Sequence, residues 1–188
     1  MASENSGYPR RKPDAEEGKI MNWAQNATLA DSHAVSAPKT EEELCRLIAA
    51  SRGKIRVMGN KMSPGRVLKL AAAGDTLLDL RHLRGLIAMD DNSATFAGST
   101  PMHEIYKVLS AEGKMLPSSP GVIAAQTLAG ALATGTHGQG LQQSSIADEA
   151  LSIRMVLADG TVADFDRDHP FFPAVQLGVG ALGIVTRV

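Results

Sequence analysis

The sequence predicts an α+β fold, and three observations lead there. Candidate strands and helices are interleaved without the regular strand–helix alternation that a doubly wound sheet requires. Two strand pairs are separated by short turn sequences, Asp90-Asp91-Asn92 and Ala158-Asp159-Gly160, which bring antiparallel neighbours together. The composition is that of a globular chain, with 188 residues, 44% hydrophobic, and a formal net charge of -1. That length suffices for one substantial domain or two small lobes.

Each element follows from local chemistry. Residues 1–20 are polar, with Gly7, Pro9, Pro13, Gly18 and clustered charges, and read as a disordered leader. Order is expected to begin near Met21-Asn22-Trp23, since the single tryptophan needs a core to bury it. Thr40 opens a helix after Ala37-Pro38-Lys39, with Glu43 as the second half of a capping box. Leu44, Leu47 and Ile48 form its apolar stripe. Residues 55–58 alternate as a strand and run into a tight polar loop, 59–65. Further strands are expected at 76–80, 86–89 and 94–97. Pro101 starts a helix reaching about Glu112 and closed by Gly113. A short helix covers 125–133, and strands 151–157 and 161–165 form a hairpin. Asp168 is expected to cap a helix running through Pro170, Phe171 and Phe172 towards Leu177, and 184–188 begins another strand.

Composition excludes several functions. A near-neutral charge argues against nucleic acid or anionic membrane as principal partner. The lone Cys45 rules out an internal disulfide and a Cys-based zinc site, and its helical position suggests a buried structural thiol. No apolar run approaches a membrane span and the N-terminus has no signal-peptide core, so an intracellular, cytoplasmic protein is expected. With only 4% aromatic residues, an aromatic-lined sugar cleft is not wholly contained here.

Chemistry concentrates in residues 126–140, QTLAGALATGTHGQG. Gly130, Gly135, Gly138 and Gly140 let backbone approach a large flat ligand, while Thr127, Thr134, Thr136 and His137 bring hydrogen-bonding groups. The segment reads as one wall of a cofactor pocket; a tight helix-to-loop junction with glycine caps would use similar residues. The loop after strand 55–58 can form an anion nest from successive backbone N–H groups, with Asn60 and Ser63 as side-chain donors and Lys61 as a positive charge. An ordinary turn has the same composition. Gly178, Gly180 and Gly183 match the G-x-G-x-x-G dinucleotide fingerprint, but a helical stretch precedes them and a strand follows. That fingerprint needs a strand before and a helix after, so a Rossmann site is rejected here. Together the three small-residue elements suggest convergence on one extended ligand.

The order R-V-x-G-x-x-x-S (56–63), L-P (116–117), Q-T-x-A-G-A-x-A-T-G-T-H-G (126–138), A-D-G-T (158–161) and G-x-G-x-L-G-I-V-T (178–186) resembles the PCMH-type FAD-binding domain of the vanillyl-alcohol oxidase superfamily. Within it, these motifs and Asn22-Trp23-Ala24 resemble the aldonolactone oxidase and alditol oxidase branch. The T-G-T-H-G block argues against an enolpyruvyl-sugar reductase on the same fold. The resemblance covers 21–188 and implies a two-lobed α+β domain dividing near 98–100. It implies that Gly59, Asn60, Lys61, Met62 and Ser63 take the FAD pyrophosphate together with Ser118, Gly121 and Val122. Thr127, Gly130, Ala131, Thr134, Gly135, Thr136, His137 and Gly138 would line the flavin and its ribityl chain, with Ile184 and Val185 contributing backbone groups.

The chain departs from that family twice. Many members carry, in a G-x-G-H-S loop, a histidine that bonds covalently to the flavin; here Met62 stands in its register. A thioether lacks the nucleophilic nitrogen, so FAD is expected to bind non-covalently. Members also continue into a substrate domain, and the expectation is a chain truncated before it, ending within a core strand and leaving an unpaired edge. The implied reaction is oxidation of a sugar-1,4-lactone or alditol by hydride transfer to FAD, with oxygen or another acceptor reoxidising it. The alternatives are a flavin-binding remnant without turnover and a subunit whose partner supplies the substrate domain. No substrate base is found: Asp148, Glu149, Asp164 and Asp166 read as solvated charges near turns, and His82 and His103 as structural or exposed.

Overall fold

The computed structural model describes residues 14, 16–63, 65–119 and 123–188. Most of the expected leader therefore lies outside the described residues, but its last residues are already strand. β1 (Lys19–Met21) pairs antiparallel with β2 (Thr28–Asp31). The turn of this hairpin buries Asn22, whose carboxamide oxygen accepts from the Asn26 and Ala27 amides at 3.1 and 3.2 Å. Trp23, expected in the core, is only half-buried. A turn that leaves backbone N–H groups without partners ranks a short polar acceptor above a bulky ring.

Beyond a single 3₁₀ turn at Ser32–Ala34 come β3 (Val35–Ser36), α1 (Glu41–Ala50), β4 (Ile55–Met58) and β5 (Thr76–Asp79). The three strands form a parallel sheet in the order β3-β5-β4. Thr40 caps α1 as expected, accepting from the Glu43 amide at 3.2 Å. Glu43 reaches one residue further back than a capping box would, to the Lys39 amide at 2.7 Å. Asp75 ties the turn before β5, accepting from the Lys54, Ala71 and Ala72 amides, and these bonds hold its carboxyl below the usual aspartate range.

The second lobe holds β6 (Leu86–Met89), β7 (Ala94–Phe96), α2 (Met102–Ala111), α3 (Leu128–Ala133), α4 (Ile146–Glu149), β8 (Ser152–Val156), β9 (Val162–Asp166), α5 (Phe172–Gln176) and β10 (Ile184–Arg187). β10, β8 and β9 make an antiparallel sheet. The β6–β7 hairpin extends it, because Phe96 and Val188 exchange backbone hydrogen bonds at 2.9 and 3.0 Å. β10 is thus paired on both sides, by β8 and by the end of β7. The extended sheet draws on residues from both sides of 98–100.

Two helix starts differ from expectation. α3 begins at Leu128, not 125, because Thr127 stays extended and caps the helix from outside. α5 begins at Phe172 with Pro173 in its first turn; Asp168 makes no cap. Cys45 is half-buried on α1, and burial pushes its thiol above the ordinary value.

The lobes meet across α1. Leu44 and Ile48 pack with Leu78 and Leu80 on one side and Val156 on the other. The tip of the β8–β9 hairpin presses on the helix so closely that a Cβ on Gly160 would lie 2.7 Å from the Cys45 carbonyl oxygen. Glu41 joins this interface electrostatically, accepting from the Thr186 hydroxyl at 2.5 Å and from Arg154 Nε at 3.0 Å. No helix among the described residues is long and apolar enough to cross a membrane.

The 178–183 loop confirms the reversed context, since α5 precedes the glycines and β10 follows. Its non-glycine Val179 has φ 49°, a left-handed conformation that a β-branched side chain adopts only under strain. Val179 is exposed, so its side chain contributes little packing to offset that strain. Val179→Gly is therefore expected to stabilise the chain by about 1 kcal/mol, after subtracting the added freedom of glycine in the unfolded state. Thermal unfolding should show a midpoint higher by about 2–4 °C; a lower midpoint would show that the valine is not strained.

Candidate functional site

Three segments distant in sequence come together at the carboxyl end of β4. The first is the loop that follows that strand. A Cβ on Gly59 would lie 2.6 Å from Thr127 Oγ1, so glycine is needed here for close approach. Asn60 ties the same joint, its side-chain amide donating to the Ala125 carbonyl at 2.6 Å. Lys61 takes φ 57° and is buried, its ammonium paired with Asp14 Oδ1 at 2.6 Å. Met62 is half-buried and Ser63 exposed. Of the three side chains expected to face an anion, two are thus engaged within the protein. What the loop can offer a ligand is chiefly backbone N–H groups and the Ser63 hydroxyl.

The second segment is 127–138. Thr127 accepts from the Gly130 amide at 3.4 Å, capping α3. Ala131 points into the core with Phe96, Met102 and Ile105, so its methyl is not on the wall. Thr134 is exposed and donates to the Gly130 carbonyl at 3.0 Å. Thr136 donates to Gln126 Oε1 at 3.2 Å. Gly135 has φ 61°, and His137 is exposed with Nδ1 2.8 Å from the Gly138 carbonyl oxygen.

The third segment is 118–119. A Cβ on Gly138 would come within 2.3 Å of the Ser119 carbonyl, which fixes glycine at that contact. Ser118 beside it is fully buried, and its hydroxyl has no hydrogen-bond partner among the described residues. Gly121 and Val122 lie outside the described residues. On the far side of α3, Ile184 and Val185 sit in the β10–β8 ladder, and the Val185 carbonyl passes so close to Gly98 that a Cβ there would be 2.6 Å away.

Sequence reading missed Gly98 and Asp14. The run Ala97-Gly98-Ser99-Thr100 carried a signal, since small residues after a strand mark close backbone approach. Nothing local marked Asp14 as the partner of Lys61. A separate cavity of about 400 Å³ lies in the second lobe, over an apolar floor that includes Phe96, Ile105, Leu109 and Leu116. None of the expected site residues lines it.

Residues 32–166 match the family described as FAD binding domain. The chain is 26% identical to a D-arabinono-1,4-lactone oxidase of Eremothecium gossypii, over 89% of its own length and 33% of the relative's. It is 30% identical to a long-chain alcohol oxidase of an uncultured marine euryarchaeote (93% and 36%). It is 29% identical to an alditol oxidase of a Streptomyces species (90% and 40%). The chain therefore spans between a third and two fifths of these relatives' lengths. Its fold is similar to that of a cholesterol oxidase from Brevibacterium sterolicum, with a TM-score of 0.79 at 20% identity, covering 91% of this chain and 36% of that one. A family match across most of the chain, on the residues that form the three-segment joint, leads to one conclusion: the chain belongs to the FAD binding domain family, within the vanillyl-alcohol oxidase superfamily.

Proposed function

We propose that this FAD-binding domain serves an oxidoreductase acting on the CH–OH group of a sugar-1,4-lactone or an alditol. Substrate-binding residues would come from a further domain or a partner chain. The observation that carries the cofactor half is the joint itself, in which Gly59 packs on Thr127 and Gly138 on Ser119. The substrate class is supported by relatives named as arabinonolactone and alditol oxidases. The long-chain alcohol oxidase shares the same bond chemistry.

The residues present fit FAD. An unpaired buried hydroxyl costs about 1–3 kcal/mol, and Ser118 would gain an acceptor in a pyrophosphate oxygen. Backbone N–H groups of 59–63 would hold the same group as a nest, with Asn60 fixing the loop instead of touching the ligand. Thr127, Gly130, Thr134, Gly135, Thr136, His137 and Gly138 would shape the wall against the flavin and ribityl chain, Ala131 contributing backbone only. Ile184 and Val185 would offer backbone groups. Bound FAD supplies the hydride acceptor for the substrate carbon, and oxygen or another acceptor takes the electrons onward. With Met62 in the loop, attachment is non-covalent.

The test is an absorbance spectrum of the chain after FAD addition and desalting, repeated after acid precipitation. Flavin absorbance should stay with the native protein and move to the supernatant in acid. Flavin in the pellet would overturn non-covalent attachment, and a colourless protein would overturn FAD retention by these residues.

A further inference from the structure

We propose that Asp14 is an internal anion held against the cofactor loop, so that its carboxylate and the dinucleotide bind in opposition. The inference rests on the reading of residues 59–63 as the pyrophosphate loop.

Lys61 is the unusual residue of that loop. Its backbone is left-handed, which a lysine adopts at a cost, and its side chain is almost wholly removed from solvent. A buried ammonium needs a counter-charge. Among the described residues, Asp14 is the only carboxylate paired with it, and it approaches from 47 positions earlier in the chain. Asp14 is itself anchored, because the same Oδ1 accepts from the Met21 amide at 2.6 Å where β1 ends. Asp14 is thus fixed at both β1 and the loop.

A carboxylate and a pyrophosphate oxygen are the same kind of partner for an ammonium, an anionic hydrogen-bond acceptor. With Asp14 in place, the Lys61 charge is neutralised and the loop presents little attraction to an anion. Without it, a positive charge stands beside the nest. Two anions sharing one lysine oppose each other, and the opposition is reciprocal: FAD must loosen Asp14 by the factor that Asp14 weakens FAD.

Asp14→Asn isolates the charge, since the carboxamide oxygen still serves the Met21 amide. Titrating the full chain with FAD at low salt, followed by flavin fluorescence, should show the dissociation constant falling about fivefold or more. The free variant should melt lower than the wild type, because Lys61 is left uncompensated, and FAD should raise its midpoint by more. In a Lys61→Gln background the same substitution should leave the dissociation constant unchanged. The double variant buries no lone charge, and its comparison with Lys61→Gln keeps the proposal falsifiable if Asp14→Asn alone folds poorly. An unchanged or weaker FAD affinity in Asp14→Asn, or an equal gain without Lys61, would overturn the proposal while leaving the loop's role intact. Failure of every variant and the wild type to bind FAD would overturn the loop reading and the proposal with it.

Discussion

Gly59→Ala is expected to weaken FAD binding at least about tenfold, or 1.4 kcal/mol, while the chain stays folded. The added methyl would sit 2.6 Å from Thr127 Oγ1 and 2.9 Å from its Cγ2. Thr127 is buried and caps α3 through the Gly130 amide, so it has little room to turn. The loop must lift instead, and lifting stretches the 2.6 Å bond from Asn60 to the Ala125 carbonyl. Both sides of the joint then lose their spacing, though no core cluster includes Gly59. Gly65→Ala is the matched control, because a Cβ there meets nothing within 4 Å. Flavin fluorescence titration, beside thermal unfolding, checks both variants. Wild-type affinity in Gly59→Ala would mean that the cofactor does not use this joint.

Glu41→Ala should cost about 2 kcal/mol of stability, at the lower end for a partly buried pair because Arg154 remains partly solvated. The carboxylate accepts from the buried Thr186 hydroxyl at 2.5 Å and from Arg154 Nε at 3.0 Å, with Arg187 at 3.8 Å. Removing it leaves Arg154 with Asp164 as its remaining ion-pair partner, at 2.6 Å. The contact joins the first turn of α1 to β8 and β10, so its loss loosens one lobe against the other. The unfolding midpoint should fall by about 4–8 °C. Glu42→Ala, on the exposed side of the same turn, removes a carboxylate held by its own amide and the Thr40 hydroxyl, and should lower the midpoint less. A Glu41→Ala midpoint within about 1 °C of wild type would show that the network carries no stability.

Short-range chemistry determined much of this protein from sequence alone. β4 spans 55–58 as the alternation predicts, and both hairpins turn at Asp90-Asp91-Asn92 and around Gly160, whose φ is 84°. Thr40 caps α1. The residues before and after Gly178 to Gly183 were enough to reject a Rossmann site, and the Q-T-x-A-G-A-x-A-T-G-T-H-G block was enough for the family. These features depend on atoms a few positions apart, whose preferred dihedrals and hydrogen bonds hold in any fold that contains them.

Tertiary structure decided what depends on neighbours far along the chain. It put Asn22, not Trp23, in the buried place, kept residues 125–127 out of the helix, and turned Ala131 into the core. It gave the Asn60 amide to Ala125 and the Lys61 ammonium to Asp14, so the loop offers a ligand mainly its backbone. The loop's residue types were legible, but their partners were not. A side chain's propensity is local, whereas the burial and counter-charge that fix its role come from packing segments that only the folded chain brings together.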